Sequence, residues 1–389
     1  MPNLPYKSPL TYLIFFLFIL LLAVNLLIVT EQHYIILAKS FLKGSLSIVD
    51  VPQNISDYAL YNGKYFWPLG PFPAVILMPF VFFFNNFLQS YIQFPLNILN
   101  FLLIYKISKL SRLKSNKALL LSIFYIFGSI YTPNGALPAS WYFAQIVAVT
   151  CLMYALYEFL TKRRYLMIGI AIALATATRF NLIFSSLFFL IYLFRQPIDL
   201  KNILKFTLPI IVILALLGSY NYLRFGNALE HGYKHQMIFH EAQKRRELGL
   251  FSPKHIPTNL FYMLFAGPIP VLKNDSHILK PPYLRFDPNG LSIFFLSPVL
   301  FFLYKAKFKE KLVKTSALTI LAMLIPIVTY YGIGTRQIGY RYALDFFPFV
   351  FLILTSAVKN VGDKILYPLI FFGVIVTWIF IFEYMFGFY

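Results

Sequence analysis

The sequence predicts an all-α polytopic membrane protein, one integral unit with about 11 spans and two large extracytoplasmic loops. Three observations predict it. Of 389 residues, 59% are hydrophobic and 12% charged, and the mean hydropathy is +0.70, a composition no ordinary soluble domain reaches. The apolar residues gather in runs of 14 to 20, which suit helices and not the short alternating strands of a transmembrane barrel. No tandem repeat and no separate soluble domain is visible in residues 1–389.

The first run, Leu10 to Val29, is long enough to span. It follows Lys7 and lacks a small-residue cleavage site, so it reads as a retained first helix with a cytoplasmic N-terminus, which puts Glu31 on the outer face. Residues 31–67 then form a first outer loop with juxtamembrane helices. The second run, Pro68 to Phe87, opens on PLGPFP, prolines that suit a turn and a helix start. Tyr91 to Tyr105 and Ala118 to Tyr131 follow, and TPNGALPAS closes the latter as a loop or an unwound membrane segment. After Trp141 to Leu160 comes Tyr165 to Leu193, interrupted at Thr178-Arg179-Phe180-Asn181, either two short helices meeting at the arginine or one bent helix. Phe206 to Leu223 leads into the second outer loop, 224–290. Leu291 to Tyr304, Thr315 to Tyr331, Tyr342 to Val358 and Tyr367 to Phe386 complete the set.

The formal net charge of +20 would suggest nucleic acid in a soluble protein. Here much of it lies in short clusters between apolar runs (Lys106 to Lys117, Lys162 to Arg164, Arg195 to Lys205, Lys305 to Lys314), where positive-inside bias and anionic headgroups account for it. Eleven simple crossings place the first two clusters outside. Counting the second and third runs as one net crossing and Tyr165 to Leu193 as two brings them inside, and both drawings keep the two loops on the same outer side. Cys151 is the single cysteine, so no intrachain disulfide or thiolate cluster is available.

Glu31, Asp50 and Asp57 bring three of the fourteen acids into the first loop. A partly desolvated Glu31, followed by His33 and Tyr34, suits a general base, because burial raises a carboxyl pKa; it equally suits the end of an interfacial helix. Asp50 and Asp57 lie near Tyr58, Tyr61, Tyr65 and Trp67, a mixture fit for a sugar-sized ligand or for the headgroup level. Lys64 is placed to hold a phosphate. Arg179, inside an apolar stretch, requires a partner or a snorkelling path. Arg224, Arg336 and Arg341 put guanidiniums on the outer side, with geometry that matches phosphate oxygens; Arg341 is also spaced i,i+4 from Asp345, a helical ion pair. His231, His235 and His240 do not form HExxH, and no Walker loop, Rossmann glycine pattern or nucleophile elbow is present.

TEQHYIILAKSFLKG, SDYALYNGKYFWPLGPFPAVILMP, ASWYFAQ, ATRFN, YNYLRFGNALEHGY and IGTRQIGYRYALDFFPF, in that order, resemble the GT-C superfamily of membrane glycosyltransferases, in particular the protein O-mannosyltransferase and aminoarabinose transferase branch. The resemblance implies a GT-C-like helix bundle in a prokaryotic plasma membrane. It would take a sugar from a polyprenyl-phosphate donor and pass it to a lipid, glycan or protein acceptor at the extracytoplasmic face. The family's acid after the first helix deprotonates the acceptor hydroxyl. Glu31 takes that place, although the frequent Asp-Glu pair reads Thr30-Glu31 here, and Asp57 is the reserve. Lys64, Arg179, Arg336 and Arg341 would bind the donor phosphate; His33, Tyr34, Asp50, Tyr61, Tyr65, His231 and Tyr233 would face sugar or acceptor. The surplus of cations favours a monophosphate donor with no metal and no other cofactor. The rivals are a flippase-like transporter of polyprenyl-linked glycans, disfavoured by the lack of paired inverted halves, and a polymerase or ligase of lipid-linked glycans. The absence of a large soluble C-terminal domain speaks against the oligosaccharyl-transfer branch.

Overall fold

A computed structural model describes residues 9–194, 198–273 and 277–387; Lys7 and Arg195, used above for orientation, lie outside them. In chain order the helices are α1 (Pro9–Leu27), α2 (His33–Leu42), α3 (Phe72–Phe83), α4 (Ser90–Leu110), α5 (Ser115–Phe127), α6 (Tyr131–Ala136), α7 (Ser140–Leu160), α8 (Tyr165–Thr178), α9 (Ser186–Leu193), α10 (Leu200–Phe225), α11 (His240–Glu247), α12 (Ile256–Leu264), α13 (Ile293–Leu296), α14 (Lys311–Thr329), α15 (Phe347–Ala357) and α16 (Asp363–Phe386). Two antiparallel hairpins join them, β1 (Ala59–Tyr61) with β2 (Lys64–Phe66) and β3 (Ile269–Leu272) with β4 (Leu279–Arg285).

The span count is corrected. Among the described residues five helices, α1, α7, α10, α14 and α16, are long and apolar enough to cross a membrane, not about 11. They support membrane association. The other apolar runs fold as shorter pieces for visible reasons. The run from Pro68 yields the 12-residue α3, roughly 18 Å of helix and short of a bilayer core. Tyr165 to Leu193 splits at Arg179 into α8, a 3-10 stretch Phe180–Ser185 and α9. Leu291 to Tyr304 breaks into the four-residue α13 and a 3-10 stretch from Pro298. In α5 every residue from Ala118 to Phe127 is buried in protein, so its apolar character serves packing. α4 has 21 residues, but Gln93, Asn97, Asn100, Lys106 and Lys109 interrupt it.

Those α4 amides explain the TPNGALPAS break. Gln93 Nε2 donates to the carbonyls of Asn134 and Gly135 at 3.0 Å and of Leu137 at 3.1 Å. Asn97 Nδ2 donates to Gly135 O at 2.9 Å and Asn25 Nδ2 to the same oxygen at 3.0 Å. Irregular backbone is tolerated there because side chains satisfy it inside the protein.

The two large loops are also corrected: both are folded, and they knit together. Residues 31–67 hold α2 and the β1–β2 hairpin, and 224–290 holds α11, α12 and β3–β4. Ala59 bridges Gln236, Asp57 N donates to Met237 O at 2.8 Å, and Met237 N to Tyr58 O at 2.9 Å.

The PLGP turn rests on the end of α8. A Cβ on Gly70 would stand 2.2 Å from Ala177 O and 2.6 Å from Thr178 O. Gly70→Ala is therefore expected to destabilise by about 1–3 kcal/mol, the usual cost of overpacking, read as a lower melting temperature in detergent; unchanged melting would contradict this close approach.

Candidate functional site

A cavity of about 1050 Å³ lies where the two folded segments meet the ends of α8, α10 and α14. Glu31 is set at one corner by polar contacts to its backbone. Its carbonyl accepts from Ser140 Oγ at 2.8 Å and from Gln89 Nε2 at 3.1 Å, while Gln89 N donates to Gln32 Oε1 at 3.0 Å. The Glu31 carboxylate forms no hydrogen bond or ion pair among the described residues, and the residue lines the cavity.

His33, two residues on, stacks on Trp67 with centroids 4.1 Å apart and an interplanar angle of 11°. Burial lowers its pKa to about 3, so it is neutral. Ser140 Oγ accepts from His33 N at 2.8 Å and sits 3.1 Å from Nδ1. With the Ser140 proton given to Glu31 O, the hydroxyl has only lone pairs left for the ring, which assigns the proton to Nδ1.

Asp57 reaches the cavity from a left-handed backbone, φ +69°, where non-glycine residues are strained by about 1–3 kcal/mol. Its Oδ1 accepts from Gln236 Nε2 at 3.1 Å. Burial raises its pKa, only partly opposed by Arg341, and the negative charge of Glu31 adds to the rise. A raised carboxyl pKa means the folded chain retains a proton the unfolded chain has lost. Stability contributed by that proton is present below the ordinary aspartate pKa and disappears as pH rises through the raised value. Asp57→Asn, which keeps an acceptor for Gln236, should melt higher than wild type at pH 7 and no higher near pH 3; a lower melting point at pH 7 would contradict the burial argument.

The guanidiniums of Arg336 and Arg341 line the same cavity, near enough to Asp57 to act on its charge. Arg336 is likewise left-handed, φ +51°, and its carbonyl accepts from Tyr142 Oη. Gly334 makes this turn possible: its φ is +85°, and a Cβ would come within 2.4 Å of Gln337 Oε1. Arg341 lies among the rings of Trp141, Tyr142 and Tyr342, 5.3 to 5.6 Å from their centroids. Gln145 Nε2 holds its carbonyl at 2.8 Å, and its Nη1 is buried without a hydrogen-bond partner.

The Arg341–Asp345 pair expected from sequence does not form. Asp345 is bound bidentately by Arg179, Nε to Oδ1 at 2.7 Å and Nη2 to Oδ2 at 2.9 Å, and also by Asn181 Nδ2 at 2.7 Å. Arg179 still lines the cavity, but its charge is matched.

Glu31, His33, Asp57, Arg179, His231, Tyr233, Arg336 and Arg341 thus share one cavity. Five other candidates do not line it. Lys64 is exposed at the hairpin, Asp50 pairs with Lys43 at 2.9 Å on the surface, and Tyr34 is buried behind Trp67 at 5.7 Å. Tyr61 packs on Phe225 and His235, and Tyr65 pairs with Leu60 in the hairpin. The cavity adds Trp141, Asn181, Arg224, Gln236, Arg245 and Tyr330. Of these, Arg224 was read from the sequence as an outer guanidinium, and Trp141 and Asn181 stand in the ASWYFAQ and ATRFN stretches; Gln236, Arg245 and Tyr330 carried no signal. Among the described residues no three His, Cys, Asp or Glu side chains converge as a metal site.

No family model matches the chain, and no curated protein matches it. A solved structure is distantly similar. It is the apo oligosaccharyltransferase of Archaeoglobus fulgidus, at TM-score 0.41 and 13% identity, over 95% of this chain and 54% of that one. The chain therefore spans about half the length of that protein. At this level the likeness carries no argument about chemistry, and the functional reading rests on the cavity and the sequence.

The lining is chemically mixed. Asp57, Glu31, Arg336 and Arg341 line it as one group of charges that act on one another, and Phe184, Leu217, Pro326 and Ile327 add apolar surface from the 3-10 stretch, α10 and α14. Phe180 and Phe184 are themselves half-exposed. Such a cavity fits a ligand with a charged head and an apolar tail.

Proposed function

We propose that this chain is a GT-C-type membrane glycosyltransferase that moves a sugar from a polyprenyl-phosphate donor to an acceptor hydroxyl, with its cavity opening on the extracytoplasmic side. The observation that carries the reading is the mixed lining of one cavity: carboxylates and guanidiniums that form no ion pair with each other among the described residues (Glu31, Asp57, Arg336, Arg341), together with apolar side chains of two membrane-length helices.

The chemistry follows from the groups present. Glu31 takes the proton of the acceptor hydroxyl while its oxygen bonds to the anomeric carbon of the donor sugar. The bond from that carbon to the phosphate oxygen breaks, and its electron pair leaves with the polyprenyl phosphate. Guanidinium donors stabilise the charge that grows on the departing phosphate. Asp57, fixed by Gln236, orients acceptor or sugar hydroxyls. No step requires a metal.

The test is turnover by the purified chain in lipid nanodiscs, given radiolabelled polyprenyl-phosphate sugars and cell-envelope extract as acceptor. Label is expected to enter the acceptor as polyprenyl phosphate is released in equal amount. Intact donor across a panel of common sugars would contradict the proposal.

A further inference from the structure

Arg224 is a cavity cation without a role in the proposed chemistry, and the most buried of those that line it outside Arg336 and Arg341. It sits near the end of α10, is 5% exposed, and lines the cavity. Nη1 donates to Trp67 O at 2.9 Å and Nη2 to Asn221 Oδ1 at 2.7 Å. The guanidinium lies over the Tyr220 ring at 3.8 Å and the Phe225 ring at 4.6 Å. Its Nε is buried without a hydrogen-bond partner, as is Tyr220 Oη. No carboxylate forms an ion pair with it among the described residues. Its hydrogen-bond partners are neutral, and the Glu230 carboxylate, which also lines the cavity, acts on its charge without forming an ion pair with it; a buried guanidinium with no directly bound counter-charge is costly, and an anion at Nε would supply one.

Its position says which anion. Leu217, Tyr220, Asn221 and Arg224 all line the cavity, and their spacing of three and four puts them on one face of α10. Leu217 lies on that face roughly 10 Å from Arg224 along the helix. Phe184 and, from α14, Pro326 and Ile327 add apolar lining to the same cavity. A lipid leaving there carries its phosphate to the first cation on the α10 face.

Arg336 and Arg341 stand elsewhere. Both are close enough to Asp57 to act on its charge, so they share the side of the acids. From Arg224 a chain of contacts runs through Trp67, the His33 ring and the Ser140 hydroxyl to the Glu31 backbone, so several residues separate the two side chains. In a single displacement the attacking oxygen and the leaving phosphate lie on opposite faces of the anomeric carbon. The base and the phosphate ligand therefore belong on opposite sides of the sugar.

We propose that Arg224, rather than Arg336 or Arg341, receives the carrier phosphate, and that the polyprenyl tail leaves between α10 and α14 past Phe184, Leu217 and Ile327. The assignment rests on the transferase reading for its chemistry, but binding tests it alone. Farnesyl phosphate and farnesol are titrated against the full chain in nanodiscs. Wild type is expected to prefer the phosphate; Arg224→Gln should lose roughly 10- to 100-fold of that preference, as expected when a charge-assisted contact is removed, and Arg341→Gln should keep it. Because Arg224 also holds Trp67 O, Arg224→Lys serves as the variant that retains the charge. Its preference should fall between wild type and the Gln variant, since a point charge replaces a planar fork. An Arg224→Gln preference equal to wild type overturns the assignment, as does an Arg224→Lys preference no better than that of Arg224→Gln, or a loss seen only in Arg341→Gln. A chain that binds farnesyl phosphate through Arg224 yet transfers no sugar overturns the transferase reading and leaves this assignment standing.

Discussion

Glu31→Gln should slow sugar transfer by about 10²- to 10⁴-fold, the usual contribution of a positioned general base, while leaving the melting temperature close to wild type. The second expectation follows from how Glu31 is held. Ser140 and Gln89 grip its backbone carbonyl, and the carboxylate has no partner among the described residues, so an amide of equal shape disturbs no contact. The kinetic loss should fall on kcat, because deprotonation of the acceptor occurs in the transition state and not on binding. Asp57→Asn, whose side chain is already engaged by Gln236, should transfer sugar better than Glu31→Gln does. The reverse order would move the base to Asp57, and full activity in the Glu31 variant would remove Glu31 from the chemistry.

Asp345→Asn is expected to give the largest loss of stability, about 3–5 kcal/mol, because it leaves a largely buried arginine without its counter-charge. The side chains of Asp345 and Arg179 are 1% and 13% exposed, and the bidentate contact joins the α8 break to the segment that carries Arg341. Removing both charges in Arg179→Gln with Asp345→Asn should recover part of the loss, since no buried ion then lacks a partner. The readout is thermal melting in detergent for both single variants and the double. Additive losses would show that the pair is not coupled.

How far the sequence could be read depends on what each residue type reports. Apolar runs report burial, whether in lipid or in protein. Thirteen-residue α5 satisfies that requirement inside the protein, and counting it as a crossing inflates the number of spans. The Arg341–Asp345 pairing fails for a geometric reason. Spacing of i,i+4 brings side chains together only in an α-helix, whereas 341–345 is a 3-10 turn, in which residues three apart eclipse and residues four apart diverge. Arg179 was legible because a charge in an apolar run demands a partner; which carboxylate answers it depends on long-range packing that local spacing does not encode. Lys64 has the right chemistry, but the short β1–β2 hairpin holds it exposed. Gln89 and Gln236 carry no local signal, because a polar residue that positions another's backbone looks like any surface residue until the fold is known, and Ser140 was visible only as part of the ASWYFAQ stretch.

The most direct test of the account is the structure of the full chain in nanodiscs with a non-cleavable phosphonate analogue of a polyprenyl-phosphate sugar. The sugar is expected in the cavity between Glu31 and Arg224, with the tail leaving between α10 and α14. An analogue bound outside this cavity, or with its sugar out of reach of both Glu31 and Asp57, would contradict it.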